Sequence, residues 1–238
     1  MKKITTVLFD LDGTLIRMDQ DRFVKEYFSS IISKLTSFGY DGELMHRALV
    51  SAVRAVFAND GEMSNEERFW TVFSEVAGDV GDVGSYLESF YENEFVEIVK
   101  NTCESYPRTR EVLDRVKKCG LSAVLATNPL FPMIATRHRI ALGGMLESDF
   151  QYVTAYENSS YSKPNPEYFS ELLSKLGLSA DECVMIGNDT TDDLAAYSLG
   201  IPVFFLTECL INKQGLDLSN HPHGGFDELI DYIGSLNK

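Results

Sequence analysis

Apolar and polar positions along this chain follow two rhythms, and the change between them outlines its organisation. An unbroken apolar run, Val7-Leu8-Phe9, stops at Asp10. Short apolar runs closed by a turn signal are buried strands, so a strand is expected over residues 4–10. From there to about residue 99 the period becomes helical, with Phe23, Tyr27, Ile31, Leu35 and Phe38 recurring on one face. Helices are expected over 23–38, 43–57, 66–76 and 86–99, punctuated by the Gly- and Asp-rich clusters Asn59-Asp60-Gly61 and Gly78-Asp79-Val80-Gly81-Asp82. Beyond residue 100, helices and strands alternate. Helices are expected at 110–118, 132–142, 166–176, 192–199 and 226–236. Strands are expected at 122–126, 151–155 (weaker), 183–186 and 202–206. Such alternation implies a parallel sheet covered on both faces. The chain reads as an α/β domain of residues 1–17 and 100–238, with an α-helical bundle, residues 18–99, inserted after the first strand.

Composition narrows the function. There are 21 Lys and Arg against 36 Asp and Glu, a formal net charge of −15. Nucleic-acid binding needs clustered basic residues and is not expected. A small phosphorylated substrate remains compatible, because one local site can be positive or metal-bound within an acidic protein. The four cysteines, Cys103, Cys119, Cys183 and Cys209, are widely spaced with no CxxC pair, as expected of reduced thiols in a cytoplasmic protein. Met1-Lys2-Lys3 precedes apolar residues, but Asp10 and Asp12 interrupt them too early for a signal peptide. No apolar stretch reaches the roughly 20 residues needed to span a bilayer, so no membrane partner is expected.

The chemistry collects at the ends of the expected strands, where open α/β sheets bind ligands. In extended chain, residues two apart point to the same side, so Asp10 and Asp12 project together. Two neighbouring carboxylates repel unless one keeps its proton or a cation sits between them. Thr127-Asn128 follows the second strand. Lys163 lies in the loop Ser162-Lys163-Pro164-Asn165-Pro166, and Gly187-Asn188-Asp189 with Asp192-Asp193 follows a later strand. Each has a plainer explanation. Asp10 and Asp12 can open a turn, Thr127 can simply end a strand, and Asn165-Pro166 is a helix N-cap followed by proline. Asp189, Asp192 and Asp193 suit a helix N-terminus. One site that uses all of them explains the convergence.

The chain resembles the haloacid dehalogenase superfamily through four ordered motifs: Asp10-x-Asp12-Gly13-Thr14, Thr127 ending a strand, Lys163 before proline, and the acidic strand end from Gly187 to Asp193. The resemblance implies a Rossmann-like parallel sheet and an inserted helical cap domain. It implies a magnesium-dependent phosphatase in which Asp10 is the nucleophile that forms an aspartyl-phosphate and Asp12 the general acid and base. Thr127, the Asn128 backbone and Lys163 would bind the phosphoryl group. Asp10, the Asp12 carbonyl and an acid of the fourth motif would hold Mg2+. In that motif Gly187-Asn188-Asp189 departs from the usual Gly-Asp. Asp189 is the preferred metal ligand with Asp193 in support, and Asn188 is the alternative. The superfamily's dehalogenases lack an acid at the position of Asp12, which favours phosphate esters. A sugar-phosphate mutase and a catalytically silent binding protein are the competing readings. Substrate choice is expected to reside in the cap, with Arg68 a candidate contact beside Trp70 and the loop 59–65; Arg17 and Arg22 stand at the cap entry.

Overall fold

The computed structural model describes residues 3–238. Met1 and Lys2, which open the expected core segment and its basic start, lie outside the described residues. Five parallel strands form the central sheet: β1 Thr6–Phe9, β4 Ser122–Leu125, β5 Cys183–Gly187, β6 Val203–Leu206 and the short β7 His223–Gly224. Their order is β4-β1-β5-β6-β7. All four residues of β1 are buried, which is why this strand reads as a continuous apolar run and not as an alternation. Val7 and Phe9 face the layer built by α6 (Thr109–Lys118) and α9 (Phe226–Ser235), packing in one cluster with Val112, Val116, Leu229 and Ile233. Leu8 faces the other layer and packs with Tyr168, Phe169 and Leu172 of α8 (Pro166–Leu176).

The register brings the strand ends level. Phe9 stands opposite Leu125 on one side and Ile186 on the other. The Asp10 amide then donates to the Ile186 carbonyl at 2.9 Å, and the Ala126 amide to Phe9 at 2.7 Å. The chain leaves β1 for β4 on one side and later returns to β5 on the other. Asp10, Thr127 and Asn188 therefore emerge together at the point where the strand order reverses, the natural crevice of such a sheet.

The helical insertion consists of α1 Gln20–Ser37, α2 Gly42–Phe57, α3 Asn65–Ala77, α4 Val83–Glu92 and α5 Glu94–Thr102. Asp19, Asp41 and Ser64 cap the first three, each side chain accepting a backbone N–H. The single helix expected over 86–99 is two: the backbone breaks at Asn93 (φ −120°, ψ −76°). An antiparallel ribbon, β2 Ile16–Met18 with β3 Cys103–Ser105, joins the insertion to the sheet domain. The weak strand expected over 151–155 reduces to one bridge between Val153 and Leu125, flanked by bonds from Gln151 N to Ala123 O (2.8 Å) and Thr154 N to Leu125 O (3.0 Å). The helix expected over 192–199 is a seven-residue 3-10 turn, Asp193–Leu199, ended by the left-handed Gly200 (φ +86°). Helix α7 spans Met133–Leu142. All four cysteines are free. Among the described residues no helix is long and apolar enough to cross a membrane.

Candidate active site

Asp10 leaves β1 almost fully enclosed, at 9% exposure, and the turn behind it depends on Gly13. Gly13 has φ +89°, a backbone conformation that disfavours any residue with a Cβ. Space makes the same demand, because a Cβ there would meet Asn188 Nδ2 at 2.2 Å. Thr14 is fully buried, and its hydroxyl lies 3.1 Å from Asn188 Oδ1 and 3.4 Å from Asp10 Oδ2. The Asn188 amide group donates to the Cys209 carbonyl at 2.8 Å, so its oxygen is turned towards Thr14 and Asp10.

Lys163 is 1% exposed and lies between two carboxylates, its Nζ 3.0 Å from Asp10 Oδ1 and 2.7 Å from Asp193 Oδ1. A buried ammonium without such partners would shed its proton. Here Asp10 and Asp193 outweigh desolvation and hold Lys163 protonated. Asp193 is equally enclosed. Its other oxygen accepts the backbone amides of Asn188 and Asp189 at 3.0 Å each, and burial pushes its carboxyl up to about 6 against the pull of Lys163. Gly187 has no room for a side chain, since a Cβ would meet Asp193 Oδ2 at 2.0 Å. Asp193 is thus the anchor of the loop after β5.

Asp12 pairs with Arg139, a residue the apolar pattern did not flag. Arg139 is 1% exposed and contributes to the buried face of α7 with Ala135, Thr136 and Ile140. Its guanidinium also meets Thr136 Oγ1 at 3.1 Å and stacks over Phe131 at 5.0 Å. Burial raises the Asp12 carboxyl, and Arg139 opposes the rise. Burial also raises Asp10; Lys163 opposes it and the charge of Asp12 adds to it. The sequence signal for Arg139 was a charge at helical spacing from Ala135 and Thr136, on a face otherwise fit for a core.

The remaining expected residues divide. Thr127 is buried, and its carbonyl is held by Thr154 Oγ1 (2.7 Å) and the Tyr168 hydroxyl (2.9 Å). Asn128 ties two loops, taking the Lys163 amide on its oxygen at 3.2 Å and reaching Asp192 Oδ2 at 3.2 Å with its nitrogen. The Asp189 carboxylate, the preferred metal ligand, is turned onto its own loop: Oδ1 accepts the amides of Thr191 (2.7 Å) and Asp192 (3.1 Å). Arg68 is not on the cavity wall. It is tied to Asn59 Oδ1 (3.0 Å) and Asp60 Oδ1 (2.8 Å), an arrangement that holds the loop before α3. Arg17 and Arg22 also pair away from the site, with Glu104 and Glu26. Trp70 does reach it.

A cavity of about 800 Å³ opens over these strand ends and beneath the helical insertion. Asp10, Asp12, Thr127, Asn128, Arg139, Asn188, Asp189, Asp192 and Asp193 form its floor, and Lys163 lies buried behind Asp10. Carboxylates outnumber cations on this floor, and Asp12 Oδ1 is buried without a hydrogen-bond partner. Among the described residues no group of three His, Cys, Asp or Glu side chains converges tightly enough to hold a metal. Asp10 and the unpartnered Oδ1 of Asp12 beside it offer hard oxygen donors of the kind Mg2+ takes, since it binds through one or two carboxylates and keeps waters and phosphate oxygens as its other ligands.

A parallel α/β sheet with buried, cation-paired carboxylates at its reversal point and a helical insertion above defines a hydrolase scaffold of one recognisable class. The family model for haloacid dehalogenase-like hydrolases matches residues 4–200, and the chain belongs to that family. It is 26% identical over 200 residues to a phosphoglycolate phosphatase of Mesorhizobium japonicum, covering 83% of this chain and 80% of that one. It is 25% identical over 241 residues to the pyrophosphatase PpaX of Bacillus cereus, covering 99% and 97%. The crystal structure of a HAD phosphatase from Thermococcus onnurineus shares the fold, with a TM-score of 0.59 at 19% identity over 99% of this chain and all of that one.

Proposed function

We propose that the protein is a magnesium-dependent phosphatase acting on a small phosphorylated metabolite through an aspartyl-phosphate. The observation that carries this reading is the buried Lys163, whose ammonium lies 3.0 Å from Asp10 at the mouth of β1 with Asp12 and Arg139 beside it. An Asp10 oxygen attacks phosphorus, and the ester P–O bond breaks. Asp12 gives its proton to the departing alcohol oxygen. Asp12, now a carboxylate, takes a proton from water, whose oxygen attacks phosphorus and releases Asp10 and inorganic phosphate. Thr127, the Asn128 backbone and Lys163 stabilise charge on the phosphoryl oxygens. Mg2+ would be held by Asp10, the Asp12 carbonyl and the loop after β5, and supplies positive charge against the anionic phosphate. In this reading residues 18–99 are the cap and residues 1–17 with 100–238 the core. The test is phosphate release from a panel of phosphomonoesters, with Mg2+ and with a chelator. Phosphoryl transfer to a second substrate without release would indicate a mutase.

Two outcomes follow for individual residues. Asn188 Oδ1 and Asp10 Oδ2 converge on one hydroxyl, whereas Asp189 is turned onto its loop. Asn188→Ala is therefore expected to raise the Mg2+ concentration for half-maximal activity by at least about tenfold, the scale of a lost metal-site partner, and Asp189→Ala by less. A titration in which Asp189→Ala is the more impaired restores the assignment made from the sequence. Arg139→Met is expected to move the alkaline limb of kcat/KM for an alkyl phosphate to higher pH. Without the guanidinium, burial raises the Asp12 carboxyl further, and its proton-donating form persists to higher pH. Arg139→Lys restores the charge and should restore most of the profile; an unmoved limb in Arg139→Met would show that Arg139 does not set this proton affinity.

A further inference from the structure

Aromatic and aliphatic side chains supply the larger part of the cavity wall that faces the catalytic floor. Phe23, Tyr27, Phe69, Trp70, Tyr91 and Phe131 belong to its aromatic part. They brace one another: Phe23 and Tyr27 meet Phe131 edge-on at 5.8 and 5.3 Å, and Phe69 meets Trp70 at 5.4 Å. Their polar tips are largely engaged. The hydroxyls of Tyr27 and Tyr91 bond each other at 2.8 Å. A polar group on a substrate that lies against these rings would lose its hydration without replacement.

Charge points the same way. The insertion places three carboxylates on the cavity wall, Glu66, Glu88 and Glu92, and no lysine or arginine. Several of its basic residues are paired elsewhere: Lys34 with Glu94 at 2.6 Å, Arg68 with Asp60 at 2.8 Å, and Lys100 with Glu97 at 2.7 Å. On the sheet side, Arg139 is committed to Asp12. Among the described residues only Lys213 adds a further cation to the lining, and it is exposed. A leaving group bearing a carboxylate or a second phosphate would meet an acidic, apolar wall.

We infer that the substrate is the phosphate ester of an uncharged, largely apolar alcohol, and not phosphoglycolate or pyrophosphate. This inference rests on the phosphatase reading above and sets the chain apart from relatives named for those two compounds. A cavity of this volume and lining is of the kind that encloses an apolar small molecule. The preference lies in differential binding of the leaving group, since the phosphoryl group is common to every ester.

The experiment compares kcat/KM of the full-length enzyme with Mg2+ on 2-phenylethyl phosphate, ethyl phosphate, 2-phosphoglycolate and pyrophosphate. Acetyl phosphate serves as a small activated control. The first three substrates all release an aliphatic alcohol, so intrinsic leaving ability differs little among them. The expected result is 2-phenylethyl phosphate above ethyl phosphate by roughly 100-fold, the scale of apolar pocket discrimination, with phosphoglycolate and pyrophosphate below ethyl phosphate. Glu66→Lys should shrink the ratio of phenylethyl to phosphoglycolate by at least about tenfold, because it places a cation where the wall is acidic. Phosphoglycolate or pyrophosphate equal to or above 2-phenylethyl phosphate would overturn the inference, as would equal values for the phenylethyl and ethyl esters. In both cases the phosphatase reading stands. An enzyme inert toward all five, acetyl phosphate included, would overturn both.

Discussion

Asp10→Asn is expected to lower turnover by roughly 10,000-fold or more, the scale on which loss of a covalent nucleophile acts. The amide keeps the size and planarity of the carboxylate, so the turn at Gly13 and the strand register need not change. Its effect on folding should be small, because the native carboxylate is itself a strained element. It is buried, and the charge of Asp12 adds to the cost of ionising it. The thermal midpoint of Asp10→Asn is expected to stay within a few degrees of the parent or to rise. Intact turnover in a folded Asp10→Asn protein would remove Asp10 from the nucleophile's role.

Lys163→Met should produce the second large effect, on stability and turnover together. The methionine fills the space of the lysine stem and leaves Asp10 and Asp193 as buried carboxylates without their shared cation. Breaking a buried pair by removing one partner costs about 3–5 kcal/mol. For a chain of this size that corresponds to a fall in Tm on the order of 10 °C. The double variant Lys163→Met with Asp193→Asn should regain part of the stability, since the asparagine oxygen can still accept the Asn188 and Asp189 amides without a charge. It should not regain activity, because the cation beside Asp10 is still missing. Thermal denaturation with a phosphate-release assay separates the two effects. A double variant that recovers both would make Lys163 a structural residue only.

The parts of the molecule legible in the sequence are those whose cause is local. Val7-Leu8-Phe9 is apolar throughout because β1 is buried on both faces, and that continuity marks a strand end where Asp10 begins. Asn165 caps α8 through the Glu167 amide, with Pro166 in the first turn, as its side chain and ring geometry require. The site residues at the ends of β1, β4 and β5 could each be read as polar residues closing an apolar run, while their convergence comes from the order β4-β1-β5 and its register. What stayed hidden depends on distant partners. The ribbon of β2 and β3 has three residues on each side, and its partners lie far apart in the chain. Arg139 is buried because Asp12, 127 positions away, offers it a carboxylate; composition alone assigns such a charge to solvent. The orientations within the fourth motif depend on contacts of the same kind. Asn188 is oriented by Thr14 and Cys209, whereas one oxygen of Asp189 accepts amides of its own turn and the residue still borders the cavity. Arg68 looked available beside a polar loop, yet it is held by Asn59 and Asp60 in that loop.

Chemical trapping of the covalent intermediate tests the central claim most directly. The enzyme is mixed with Mg2+ and a phosphomonoester that it turns over, quenched with borohydride during steady state, and mapped by peptide mass spectrometry. An acyl-phosphate is reduced to an alcohol, so an aspartyl-phosphate leaves homoserine at its position. The account predicts homoserine at position 10, dependent on substrate and absent from Asp10→Asn. Sustained phosphate release with Asp10 unmodified, or reduction at another carboxylate such as Asp12 or Asp193, would contradict it.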